Sequence, residues 1–140
     1  MNILKRFGAY AEAFEQTYQD DDWSRLEPYF TEDAAMEGLT NSVQGRSNVL
    51  VQLRAGVDEL DRRMDERVPS FEPPTVEGNT LTMNWSVIYK KAGIPDLVLN
   101  GVETAVFEGD QIKHLRDELD AETQKRTQEW MAAHAAKLSG

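Results

Sequence analysis

The chain has 140 residues, and its 15 Lys and Arg residues against 25 Asp and Glu residues give a formal net charge of −10. Nonspecific binding to nucleic acid or to an anionic membrane needs a clustered positive surface, so this composition disfavours both as partners. The sequence contains no cysteine, which excludes disulfides, thiol nucleophiles and Cys-ligated zinc.

Helical patterns dominate the first part of the chain. Residues 3–18 place apolar side chains at steps of three and four, which predicts an amphipathic helix. The acidic run 20–22 suits the N-terminus of a short second helix over residues 23–30, which Pro28 should tighten or bend. A short strand is predicted over residues 34–39.

The middle of the chain changes from a helical period to an extended one. Residues 49–64 repeat apolar side chains at helical spacing and predict a third helix. Residues 71–76 contain Pro73 and Pro74, which lack the N–H donor that a central strand requires. We therefore expect an irregular or edge strand there.

Alternating apolar and polar residues mark the next three elements. They predict strands over residues 80–91, 97–108 and 111–119. The tight turn at Gly109-Asp110 connects the last two strands, as expected of an antiparallel meander.

A terminal helix is predicted over residues 121–138, with Asp120 as its cap. We expect Trp130 and Met131 on this helix to contact a second subunit, with closure of a pocket mouth as the alternative. Helices that precede an antiparallel sheet indicate an α+β fold. The chain is interpreted as one domain over residues 1–120 with a helical extension.

Three stretches resemble the nuclear transport factor 2-like superfamily and, within it, the SnoaL-like proteins. They are the sequence DDWSRLEPYFTEDAAMEG, the Gly45-Arg46 turn and the closing VETAVFEGDQIKHLRDELD. The resemblance implies a conical, cystatin-like α+β fold. In it a curved antiparallel sheet wraps around the N-terminal helices, the C-terminal helix is an addition, and a deep apolar pocket is commonly part of a homodimer.

Ketosteroid isomerase-like members of the superfamily use a tyrosine, an acidic residue and a proton-transferring aspartate. The positions that match them are Phe14, Glu103 and Gly38. A phenyl ring donates no hydrogen bond and glycine carries no proton, so the resemblance disfavours a steroid-type isomerase. Glu37 remains as a shifted base.

SnoaL-like polyketide cyclases and limonene epoxide hydrolase-like enzymes share an aspartate on the last strand, within a motif that resembles Arg116 to Asp120. The resemblance implies that Asp117 is the acid/base. Epoxide hydrolases also need an Arg-x-Asp pair on an earlier strand, whereas residues 83–86 read Met-Asn-Trp-Ser. The cyclase-like interpretation is therefore favoured over the hydrolase.

Strand parity brings the same carboxylates together without the family. Gly101, Glu103, Ala105 and Phe107 share one side of their strand, and Lys113, Leu115, Asp117 and Leu119 share one side of the next. Glu103 and Asp117 should then approach across an apolar concave face, where at least one pKa rises. The alternative is that one carboxylate is solvated or pairs with Arg116, Lys113 or Arg46.

A flat hydrophobic ligand has candidate contacts on the same face, and these residues are equally typical of a core. The candidates are Phe14, Trp23, Tyr29, Met36, Trp85, Tyr89 and Leu115. The small Gly101 and Ala105 either leave room for a ligand or relieve crowding where the sheet bends.

These observations predict a protein that binds a small hydrophobic molecule in a conical pocket. It would be a cofactor-independent cyclase, isomerase or hydrolase with Asp117 and Glu103 as acid/base groups, or a noncatalytic binding or structural dimer of the same fold. No metal or cofactor is expected, because the two histidines are far apart in sequence. Because residues 1–14 lack a secretory signal and no apolar run is long enough to span a membrane, a cytoplasmic location is expected.

Overall fold

The computed structural model describes residues 2–38 and 41–138. It has three α-helices, which are α1 (Ile3–Asp20), α2 (Arg46–Glu59) and α3 (Ala121–His134). The strands are β1 (Phe30–Glu37), β2 (Ser42–Gln44), β3 (Glu66–Phe71), β4 (Thr75–Glu77), β5 (Thr80–Lys91), β6 (Ile94–Glu108) and β7 (Gln111–Leu119). Short 3₁₀ helices follow α1, α2 and α3 at Trp23–Tyr29, Asp61–Arg63 and Ala135–Leu138.

The strands form one curved, mixed sheet in the order β2-β1-β7-β6-β5-β3, with β4 also paired to β5. The predicted α+β class is confirmed, but the expected antiparallel sheet is not fully antiparallel, because β1 pairs with β7 in parallel. Parallel neighbours need a long crossover connection, and here everything from β2 to β6 lies between the two strands. Local strand patterns do not reveal such a distant pairing.

The strand after the acidic run begins earlier than predicted. Phe30 is fully buried as the first residue of β1 rather than the last residue of a helix. The helix before it is a 3₁₀ helix that contains Pro28, and Asp22 makes no side-chain cap to its backbone. The carboxylate of Asp22 instead accepts a hydrogen bond from the Ser24 hydroxyl at 2.6 Å. The predicted end of the strand at Leu39 lies outside the described residues.

The third helix predicted from the sequence corresponds to α2, and it ends earlier than the apolar pattern over residues 49–64 indicates. Helix α2 ends at Glu59, and Leu60 and Met64 pack against a second hydrophobic cluster from outside the helix. The prolines 73 and 74 fall between β3 and β4, so the edge strand itself lies earlier than predicted, at Glu66–Phe71.

The core has two parts. The larger part contains the apolar stripe of α1, including Phe7 and Tyr10, together with β-strand residues such as Leu81 and Phe107. The smaller part lies where α3 packs on β6, and it buries Trp130 and Leu97. The larger part contributes more of the apolar residues around the site described below, while Val87 and Tyr89 belong to the smaller one.

Helix α3 begins where the sequence predicted. The Asp120 side chain accepts a hydrogen bond from the Thr123 N–H at 2.7 Å, as an N-cap does. Trp130 is buried within its own chain and donates its indole N–H to the Pro95 carbonyl at 3.0 Å. Trp130 thus packs within its own chain, and the expected contact of this helix with a second subunit stays a prediction. Among the described residues, no helix combines the length and apolarity that crossing a bilayer requires.

Candidate active site

Two acidic residues face each other across the last pair of strands. Glu103 on β6 is the direct partner of Asp117 on β7, which confirms the register expected from the Gly109-Asp110 turn. A bulge interrupts the pairing, which passes from Val106 opposite His114 to Phe107 opposite Ile112. The bulge corrects the expected parity near the turn, because the exposed Lys113 leaves the concave face and the buried Ile112 takes its place.

The surroundings of the two carboxyl groups are largely apolar. Met83 is the β5 neighbour of Glu103, and the fully buried Leu115 precedes Asp117 on the same face of β7. Both acidic residues keep some accessible surface, and both line a cavity that is partly open to solvent. No cation pairs with either carboxylate among the described residues.

This environment makes the ionised forms of the pair unfavourable. Burial is the largest cause that raises the pKa of Glu103 well above its ordinary value, and the charge of Asp117 and a hydrogen bond to it add to the effect. Burial raises the pKa of Asp117 to about 6, while contacts with the Glu103 carboxyl and the Trp85 indole oppose the rise. Near neutral pH the pair therefore holds one proton, mainly on Glu103.

Two of the cations that the sequence left open as partners for Glu103 or Asp117 pair with other carboxylates, and Lys113 does so with Glu108. Arg116 lies 3.8 Å from Glu37 and also pairs with Glu118. His114 Nε2 lies 3.2 Å from the same Glu37 carboxylate. Glu37, the shifted base considered from the sequence, thus belongs to an exposed cluster on β1 and β7 and does not line the cavity.

Tyr10 is a site residue that sequence reasoning missed. It lies on α1, is buried, and lines the cavity together with the acidic pair. Burial raises the pKa of Tyr10, and the charges of Glu103 and Asp117 raise it further, so the phenol stays neutral and can donate a hydrogen bond. The helical stripe that contains Tyr10 indicated only that the ring is buried.

The cavity has a volume of about 210 Å³ and is lined mostly by aromatic and aliphatic side chains. Of the ligand contacts predicted from the sequence, four line it: Phe14, Trp85, Tyr89 and Leu115. Two polar atoms beside the cavity are buried, the Trp85 Nε1 donor and the Asp117 Oδ1 acceptor. Neither has a hydrogen bond of standard geometry within the described part of the chain.

The other three predicted contacts belong to the surrounding core. Trp23 packs edge-on against Phe14, with ring centroids 5.9 Å apart. Tyr29 packs in the same way against Tyr10, also at 5.9 Å, and Met36 is buried in β1. None of the three lines the cavity, and their role as ligand contacts stays a prediction.

Gly101 provides room for Trp85. A Cβ at this position would lie 2.5 Å from Trp85 Cζ2 and 2.7 Å from the Glu118 carbonyl oxygen. The space that a side chain at position 101 would need is therefore filled by the Trp85 indole, which forms one wall of the cavity. It is not open to a ligand.

We predict that Gly101→Ala destabilises the protein by about 1–3 kcal/mol, because the methyl group displaces Trp85 or the β7 backbone. Urea unfolding measures the effect. Gly56→Ala is the control, since nothing lies within 4 Å of its Cβ position in α2, and it should stabilise by about 0.5–1 kcal/mol. Equal unfolding midpoints for the two variants would contradict the proposed crowding.

Two charged residues, Glu15 and Arg67, also line the cavity and belong to a cluster with Asp61. The Arg67 guanidinium on β3 donates two hydrogen bonds to the Glu15 carboxylate on α1, at 3.1 and 3.2 Å. Its Nε lies 2.8 Å from Asp61 Oδ2, and the Tyr89 hydroxyl donates to the same Asp61 carboxylate. The cluster ties α1 to β3 and β5 across a large separation in sequence.

A second groove and a metal centre are weaker candidates for a functional site. A wider groove of about 490 Å³ is bordered by polar residues such as Asn84, Asn100 and Glu118 and holds neither Glu103 nor Asp117. Among the described residues, no group of three or more His, Asp or Glu side chains could hold a metal ion. The paired carboxyls in the smaller cavity therefore remain the arrangement with the clearest chemistry.

No family model matches the sequence, and no curated protein matches it either. Solved structures are similar. An NTF2-like protein from Anabaena variabilis has a TM-score of 0.68 at 14% identity over 85% of this chain and 90% of that chain. A proposed polyketide cyclase from Xanthomonas campestris has a TM-score of 0.57 at 17% identity over 94% and 98%.

A third similar structure is an LEH-like epoxide hydrolase from M. tuberculosis, with a TM-score of 0.58 at 14% identity over 92% of this chain and 94% of that chain. Identities this low carry the fold and not the activity. The order of elements, the curved mixed sheet and these likenesses agree with the resemblance found in the sequence. The chain has the nuclear transport factor 2-like fold.

Proposed function

We propose that the protein binds a small apolar carbonyl compound in the cavity and catalyses proton transfer at the carbon next to the carbonyl, as an isomerase or cyclase does. The observation that carries this proposal is the pairing of Glu103 with Asp117 in an apolar cavity. Two carboxyls that share one proton supply an acid and a base at the same place. The similar structures include a proposed polyketide cyclase and an LEH-like epoxide hydrolase, which supports an enzymatic role.

The pKa order assigns the roles. Asp117, the more acidic member, is the base that removes a proton from the carbon next to the carbonyl. The C–H electron pair then forms the enol double bond, and the carbonyl oxygen takes the proton of Glu103. Tyr10 can donate a hydrogen bond to the same oxygen. Return of the protons gives exchange or isomerisation, while attack of the enol on an electrophile gives ring closure.

The cavity limits the size of the ligand. Its volume of about 210 Å³ exceeds the roughly 150 Å³ of an engineered cavity that holds benzene. It is smaller than the range of about 300–1,000 Å³ typical of sites for drug-sized ligands. The proposed ligand is therefore a compound with a single ring or a short chain.

The expected homodimer and cytoplasmic location stay predictions.

The proposal predicts that the wild-type protein accelerates hydrogen exchange at the methyl group of acetophenone in D₂O, measured by NMR after subtraction of the buffer rate. The rate should rise with pH through about 6, as Asp117 loses its proton. It should fall again at more alkaline pH as Glu103 ionises. A ketone that binds without accelerated exchange at any pH would support a noncatalytic binding module instead.

A further inference from the structure

The cavity has one positive group among the described residues that line it, and that group is already neutralised. The Arg67 guanidinium is held by both oxygens of Glu15 and approached by Asp61. A forked pair of this kind uses the donors that a carboxylate ligand would need. Arg67 also lies over the Tyr18 ring, 5.1 Å from its centroid, which limits its freedom to turn toward a ligand.

The charges around the cavity therefore oppose an anion. Two carboxylates surround one guanidinium in the Arg67 cluster, and the pair of Glu103 and Asp117 adds further negative charge. Arg67 and Asp61 are only 15% and 13% exposed, so solvent screens this field weakly. A ligand carboxylate would find no unpaired cation among the described residues that line the cavity.

Resting on the proposed function, we infer that Glu15 and Asp61 set the ligand class: by neutralising Arg67 they make the cavity accept neutral carbonyl compounds and reject carboxylates. Glu15 is the main specificity-determining residue, because it occupies the two terminal nitrogens of Arg67. It is also 44% exposed, so its neutralisation leaves the buried part of the cluster in place. The variant Glu15→Gln removes one of the two negative charges beside Arg67 and one of the two Glu15 acceptor oxygens, so one terminal nitrogen of Arg67 becomes available to an anion at the cavity.

Acetophenone and benzoate test this inference, because the two molecules are nearly the same in shape and differ in charge. Binding is measured by ligand-observed NMR titration for the wild type and for Glu15→Gln. The wild type should bind acetophenone at least about tenfold more tightly than benzoate. Glu15→Gln should shift the ratio toward benzoate by about tenfold or more, the value of one charge-assisted hydrogen bond.

Glu12→Gln is the matched control, since it removes the same charge from the exposed side of α1 and does not line the cavity. Its ratio should equal that of the wild type. If Glu15→Gln fails to fold, Asp61→Asn replaces it, and the wild-type ratio is a test by itself. Wild-type binding of benzoate as tight as that of acetophenone, no binding of acetophenone, or an unchanged ratio in the folded variant would overturn the inference.

These results are separable from the proposed catalysis, which is judged by hydrogen exchange. Tight and selective binding of acetophenone without hydrogen exchange would support the charge selection and contradict the proposed catalysis. Hydrogen exchange of acetophenone together with equally tight binding of benzoate would support the catalysis and contradict the charge selection.

Discussion

The Asp117→Asn variant should lose hydrogen exchange on acetophenone by about 10²- to 10⁴-fold, the usual contribution of a positioned general base. An amide has nearly the shape of the carboxylate and can hydrogen-bond to Glu103, but it cannot accept the proton from carbon. Because Asp117 is the member of the pair that is ionised near neutral pH, its loss removes the base and leaves the cavity intact. Exchange rates are measured by NMR at saturating ketone.

The neighbouring carboxylates separate this role from a general effect of charge. Glu118→Gln changes an exposed residue of the same strand that pairs with Arg116, and its exchange rate should match the wild type. Glu103→Gln keeps a hydrogen-bond donor at the acid position but cannot deliver a proton, so its loss should be smaller than that of Asp117→Asn. Wild-type exchange in a folded Asp117→Asn variant would remove Asp117 from the mechanism.

The sequence predicted the part of the site that depends on local rules. Strand alternation and the tight Gly109-Asp110 turn determine which residues of β6 and β7 face each other, and the structure has the expected pairing of Glu103 with Asp117. The pKa directions follow from that pairing and from the apolar neighbours. Local rules also located β5 and β7 at the expected residues.

The parts that sequence reasoning missed depend on contacts between distant segments. Tyr10 reaches the carboxyl pair only because α1 packs over the concave face. The Arg67 cluster joins Glu15 and Asp61, which no spacing rule associates. The parallel pairing of β1 with β7 and the bulge that excludes Lys113 are likewise properties of the folded sheet.

The double variant Glu103→Gln with Asp117→Asn should be more stable than the wild type at pH 8, and the difference should shrink as the pH falls. The folded-state pKa values of both groups are raised. Each group therefore contributes stability that is fully present below its unfolded pKa, near 4, and is lost as the pH rises through its folded pKa. Neutral amides keep the hydrogen-bonding capacity and avoid that loss.

The shift of Asp117 from 3.8 to about 6 corresponds to about 3 kcal/mol of stability lost in the wild type above pH 6. Urea unfolding at pH 5, 6, 7 and 8 measures how the difference between the two proteins changes. Asp120→Asn is the control of opposite sign, because the Thr123 hydrogen bonds lower the pKa of Asp120, so any change should be a loss of stability that fades at low pH.

A double variant that is less stable than the wild type at pH 8, or a difference that does not change with pH, would show that the pair is a structural element. The expected gain in stability of the double variant would show instead that the pair is not needed for folding. Two carboxyls that weaken the fold at the pH where one of them is ionised contribute nothing to folding that amides would not. Such a cost is typical of groups that are kept for function, and the same variant that gains stability should lose hydrogen exchange.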